Sequence, residues 1–106
     1  MSDQWTFLTN HAHVLMCLAD DPTLRLRDLA DRIGITERAA ARIVTELTEA
    51  GYLEHRRQGR RSVYELHLEL PLRHPLQGNQ PVGQLVEYIE TVKHRARSGE
   101  SREDVA

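Results

Sequence analysis

Apolar residues recur at helical spacing through most of the chain and alternate at strand spacing only in its middle. Thr9 can cap the amides of the turn after it, and a first helix is predicted from there to about Ala19, where Asp20-Asp21-Pro22 stops it. Ala12, Val14, Leu15, Met16, Cys17, Leu18 and Ala19 leave this helix little polar face. It must therefore be covered on more than one side, by its own core with a second subunit as further cover. Thr23-Leu24-Arg25-Leu26 alternates and reads as an extended segment or minimal strand. A second helix fits Arg27 to Ile33, with Leu29, Ala30 and Ile33 on one side and Gly34 as its stop. Thr36 can cap a third helix that runs to Ala50 and ends at Gly51, its inward stripe being Ala39 or Ala40, Ile43, Val44, Leu47 and Ala50. Only Gly34, Ile35 and Thr36 separate the two helices, a gap too short for an antiparallel pair, so they must cross steeply as a helix-turn-helix.

Beyond Gly51 the period changes. Residues 52–57 and 62–67 read as two strands joined by Gln58-Gly59-Arg60-Arg61, which holds the glycine a tight hairpin needs. Residues 68–80, with Pro71, Pro75 and Gly78, read as an ordered linker. Pro81 suits the first turn of a last helix, with Asn79 or Gln80 as its cap. Val82, Leu85, Ile89, Val92 and Ala96 follow at alternating steps of three and four, a heptad-like seam too narrow for a core. Dimerisation explains it economically, and Leu15, Leu18, Val82, Leu85, Ile89 and Val92 are the expected dimer contacts. The organisation expected is one domain over 1–97 and a frayed tail over 98–106.

A length of 106 residues fits one domain, and 40% apolar with 28% charged residues is ordinary for a globular chain. Cys17 is the one cysteine, which excludes an intrachain disulfide and a four-thiolate zinc site. The longest apolar run, Val14 to Ala19, is far too short for a membrane helix, and the N-terminus lacks a signal-like segment, so a cytoplasmic protein without membrane contact is expected. A net charge of -2 and a pI near 6.3 argue, taken alone, against nucleic acid. The average hides a polarity: residues 1–24 carry a balance of -3, residues 25–61 carry +3, and residues 62–106 carry -2. Every base in the central segment is Arg, the residue suited to bidentate contact with phosphate and guanine, although arginines mixed with acids also make ordinary solvated helix surface. No G-x-S-x-G elbow, P-loop, dinucleotide turn or H-E-x-x-H occurs, so no catalytic residue, cofactor or metal is assigned and a non-enzyme is expected.

The segment Arg27-Asp28-Leu29-Ala30-Asp31-Arg32-Ile33-Gly34-Ile35-Thr36, the close Leu47-Thr48-Glu49-Ala50-Gly51-Tyr52-Leu53 and the hairpin Arg56-Arg57-Gln58-Gly59-Arg60-Arg61 resemble bacterial MarR-like and ArsR-like transcriptional regulators. The resemblance covers residues 9–67. It implies a mainly α fold with a small β-hairpin wing (α+β), a winged helix-turn-helix with flanking dimerisation helices. It also implies transcription regulation as a homodimer on double-stranded DNA. The chain lacks the longer paired C-terminal helices of MarR-like proteins, and its size points to the ArsR-like group.

The residues make a physical case beside the resemblance. A helix over 36–50 is about 22 Å long, and the major groove admits such a rod. Arg38 and Arg42, one turn apart, are assigned to guanine edges or flanking phosphates, Ala41 and Thr45 to thymine methyls, and Thr36 with the helix N-terminus to a phosphate. Glu37 can accept from cytosine or merely complement the helix dipole. Arg56, Arg57, Arg60 and Arg61 would ride the backbone or enter the minor groove. Two alternatives stay open. One is a metal- or ligand-gated ArsR-like sensor, for which Glu87, Glu90 and His94 share a helix face without a completing His or Cys pair, and to which no effector is assigned. The other is a winged-helix protein-interaction module, which the acidic total favours.

Overall fold

The computed structural model describes residues 5–98. The chain divides into two compact units, Met1–His67 and Leu68–Ala106. Residues 99–106 of the expected tail lie outside the described residues.

The first unit is built of α1 (Asn10–Asp20), α2 (Leu26–Ile33), α3 (Glu37–Glu49), β1 (Leu53–Gln58) and β2 (Arg61–Leu66). Thr9 caps α1 by accepting from the Ala12 N–H at 3.3 Å, and Asp21 terminates it. The expected strand at Thr23–Leu26 is absent; instead Asp21 folds the chain into a local turn, accepting from the Thr23 N–H (3.0 Å) and Thr23 Oγ1 (2.6 Å). Leu26 then already belongs to α2, one residue earlier than expected. Just before this stretch, the Tyr64 N–H of the hairpin donates to the Pro22 carbonyl at 2.9 Å.

At the end of α2, Gly34 adopts φ 86°, a left-handed conformation that costs other L-residues more, and the N–H groups of Gly34 and Ile35 both donate to the Ala30 carbonyl. Thr36 starts α3 two residues later. The core lies where α1, α2 and α3 meet the base of the hairpin. Val14, Leu15, Met16 and Leu18 of α1 pack with Leu24, Leu29, Ala30, Ala40, Ile43, Val44, Leu47, Tyr52 and Leu53 buried around them. Of the stripe expected on α3, Ala40, Ile43, Val44 and Leu47 are buried, while Ala50 is exposed at the helix end. Cys17 is half-buried on α1.

The hairpin is antiparallel, with Leu53 opposite Leu66, Glu54 opposite Glu65, His55 opposite Tyr64 and Gln58 opposite Arg61. Its base is closed by the His67 N–H donating to the Tyr52 carbonyl at 3.0 Å.

The second unit holds a short 3₁₀ turn at Pro75–Gln77 and α4 (Val82–Ser98). Pro81 is not the first helical residue but stands before the helix, in an isolated bridge with Pro71. No side-chain cap from Asn79 or Gln80 is needed, because the Val82 and Gly83 amides donate to the Leu70 and Leu68 carbonyls, both at 2.8 Å. Gly83 is required by that approach: a Cβ there would lie 2.9 Å from the Leu68 carbonyl oxygen.

Candidate nucleic-acid interface

Burial of one side of α3 fixes what the other side can offer. With Ala40, Ile43, Val44 and Leu47 inward, Thr36, Glu37, Arg38, Arg42 and Thr45 are exposed and Ala41 is half-buried. Thr36 accepts the Ala39 N–H at 3.0 Å, which organises the helix start and leaves its O–H able to donate. Glu37 sits in the first turn, where a carboxylate complements the helix dipole. Arg38 has no carboxylate partner among the described residues. Arg42 makes only a loose pair, its Nη1 lying 3.6 Å from Glu46 Oε2 with both side chains about half exposed.

Glu46 has a second, firmer partner. His11 of α1 lies 2.7 Å from its Oε1, a tie from the first helix to the third that no local pattern in the sequence announces. The His11 hydrogen bond, with the Arg42 charge adding to it, holds the Glu46 carboxyl below the usual carboxylate range against the opposing effect of burial.

In the hairpin, Gln58 and Arg61 pair across a two-residue turn whose first residue, Gly59, has φ 61°, as a turn of the II′ kind requires. The four wing arginines are not equivalent. Arg60 and Arg61 are exposed at the tip, and Arg57 Nη1 donates to the Arg60 carbonyl at 3.4 Å. Arg56 is engaged within the hairpin. Its Nε donates to Glu65 and its Nη2 lies 3.5 Å from Glu54, because the register sets those two acids opposite one another with Arg56 on the same sheet face. His67 joins this face, its Nε2 3.2 Å from Glu54 Oε1.

Glu54, Glu65 and His67 thus bring potential ligand atoms within 4.8 Å of one another, but both carboxylates are engaged by Arg56 and the imidazole by Glu54. Glu54 joins Glu65 and His67 only through the register of the two strands. In α4, Glu87 is exposed and Glu90 pairs with Lys93 at 3.4 Å; the His94 side chain lies outside the described residues.

The expected dimer contacts separate into two groups. Leu15 and Leu18 are buried in the chain's own core, where α1 packs on α2, α3 and β2. Val82 is buried within the chain as well, together with Val86, which the seam did not include. Leu85 and Ile89 are half-buried, and Val92 is exposed with Tyr88, which the seam also missed. Trp5 and Phe7 are exposed too, in edge-to-face contact at 4.9 Å.

This arrangement of a glycine-broken helix pair, an arginine-bearing second helix and a short hairpin coincides with a family match. The sequence fits the MarR family model over residues 6–62, more than half of the chain. The chain belongs to the MarR family. The match spans α1 to the start of β2 and favours the MarR over the ArsR-like side of the resemblance.

Among solved structures, the MarR-family chain is similar to the PcaV transcriptional regulator from Streptomyces coelicolor, with 24% identity, a TM-score of 0.52, and coverage of 83% of this chain and 60% of PcaV. A second PcaV structure, in complex with its natural ligand, is similar at 24% identity and a TM-score of 0.50, covering 92% of this chain and 67% of PcaV. The zinc-dependent MarR-family regulator AdcR in its Zn(II)-bound state aligns at 18% identity with a TM-score of 0.49, covering 98% of this chain and 70% of AdcR. No curated protein matches. The chain spans about 60% of the length of the first of these, and the likeness establishes the fold of MarR-family transcriptional regulators. Among the described residues no helix is long and apolar enough to cross a membrane.

Proposed function

We propose that this MarR-family chain is a homodimeric, non-enzymatic regulator in the cytoplasm that binds double-stranded DNA sequence-specifically, with α3 in the major groove and the hairpin along the backbone or in the minor groove. The observation that carries this reading is the pair of exposed guanidiniums of Arg38 and Arg42, one turn apart on the first half of a helix whose opposite side is buried. Arg38 and Arg42 read guanine edges or grip flanking phosphates, Ala41 and Thr45 meet thymine methyls, and Thr36 donates to a phosphate at the helix start. Arg57, Arg60 and Arg61 supply the wing's contacts, while Arg56 serves the hairpin itself. Val92, Tyr88, Leu85 and Ile89 of α4 offer apolar surface for a second copy. Two copies address half-sites about 34 Å apart.

Selection of bound sequences from a random duplex pool, followed by footprinting of a winner, tests the reading. Recovery of a palindromic site protected on two successive major-groove faces supports it, and an unenriched pool with salt-insensitive binding refutes it. Ligand gating is the second reading, since PcaV was solved with its natural ligand.

A further inference from the structure

His11 belongs to the first helix, and its partner is on the third. It precedes Val14, Leu15 and Leu18 by three, four and seven positions, so it continues the core-facing side of α1 by one turn and stands half-buried at the rim where α1 meets α3. On α3 the rim position between the buried Ile43 and Leu47 is Glu46. Core packing of both helices therefore sets the ring against the carboxylate, His11 Nε2 lying 2.7 Å from Glu46 Oε1. The Glu46 carboxyl is held below its usual range, chiefly by this bond, so it is ionised and the ring nitrogen is the donor. His13, two residues on, bonds to Asn10 at 3.1 Å and does not compete.

Glu46 also follows Arg42 by one helical turn, the spacing of an ion pair. That pair stays loose: Arg42 Nη1 and Glu46 Oε2 are 3.6 Å apart, too far for a hydrogen bond, while His11 holds the other oxygen. We infer that His11 is a positioning residue for DNA reading: by drawing the Glu46 carboxylate toward α1 it keeps Arg42 from closing a fork on its own helix and leaves that guanidinium free for the duplex. The inference rests on the DNA-binding reading of α3. A bidentate fork with a carboxylate takes the same donors that a guanine edge or a phosphate needs, so Arg42 cannot make both. Among the described residues the basic partners of Glu46 are His11 and Arg42, so losing the first hands the carboxylate to the second.

The full chain is tested as His11→Ala, His11→Gln, Glu46→Gln and the double variant His11→Ala/Glu46→Gln. The first measurement contains no DNA and follows solvent exchange of the Arg42 Nε–H by NMR. Exchange should slow in His11→Ala, where Glu46 closes on Arg42, and return to the wild-type rate in His11→Gln, whose amide can still donate to Glu46, and in the double variant. An unchanged rate in His11→Ala would overturn the inference. The second measurement is affinity for the selected duplex by anisotropy. His11→Ala should bind about 2- to 5-fold more weakly, the range set by an exposed ion pair. Glu46→Gln alone should bind at least as tightly as wild type, and added to His11→Ala it should restore the loss. A merely structural role for His11 would not be rescued by removing its partner's charge. Wild-type affinity in His11→Ala, or a loss that persists in the double variant, would overturn the inference. If wild type binds no duplex, the proposed function fails, while the exchange measurement still decides whether His11 governs Arg42.

Discussion

Arg38 and Arg56 look alike in the sequence, each an arginine in the basic middle of the chain, and the structure separates them. Arg38→Ala removes a guanidinium that no carboxylate among the described residues occupies. A base-edge contact is worth roughly 1–3 kcal/mol, so the selected duplex should bind about 5- to 150-fold more weakly. If Arg38 instead grips a phosphate, the log–log salt slope should fall by about 0.9. Arg56 starts from a different state, bonded to Glu65 and beside Glu54. Reaching a phosphate would mean leaving two carboxylates that face each other across the strand pair, an arrangement disfavoured by roughly 0.2–1 kcal/mol when uncompensated. Gain and loss nearly cancel, so Arg56→Ala should leave affinity within about threefold and the slope unchanged, while lowering stability by about 1 kcal/mol or less. Fluorescence anisotropy of both variants between 50 and 200 mM salt makes the comparison. Equal losses in the two, or a slope reduced by Arg56→Ala, would refute the assignment of roles.

Leu18→Ala empties a fully buried position of α1 and should cost about 2–5 kcal/mol in chemical denaturation. Gly59→Ala forces a side chain into φ 61° at the hairpin turn; a cost of about 1–2 kcal/mol is expected, with broadened wing signals by NMR. The Glu46 carboxyl is lowered, so its contribution is complete above the ordinary value near 4.5 and is lost as pH falls through the native one. Stability of Glu46→Gln should therefore fall less on acidification below that value than wild type does, as thermal melts at successive pH would show. Val92→Glu should shift sedimentation toward a single copy while leaving the helical circular dichroism intact.

The helix-turn-helix was legible because its signals are local: Thr9 and Thr36 are caps, Gly34 is a stop, and the buried stripe of α3 keeps one period. The hairpin turn was legible for the same reason, with Gly59 where the turn demands it. What the sequence concealed depends on distance along the chain. Leu15 and Leu18 read equally well as core or as interface, and only the packing of α1 against α2, α3 and β2 assigns them to the core. The engagement of Arg56 needs the register that sets Glu54 opposite Glu65, and the His11–Glu46 tie joins residues 35 positions apart. The strand expected at Thr23–Leu26 failed because a side-chain bond from Asp21, two residues away, outcompeted extended pairing.

The stitch that anchors α4 sets what this stretch of chain tolerates. Because Leu68 and Leu70 hold the first amides of the helix and Pro71 meets Pro81, residues 72–80 leave and return between fixed feet, with Leu76 at their crest 86% exposed. Extra residues spliced into that excursion need not shift the helix onset, so a reporter tag or an evolutionary insertion is best accommodated there. A single residue added between Leu68 and Leu70 would put the two feet out of register with each other.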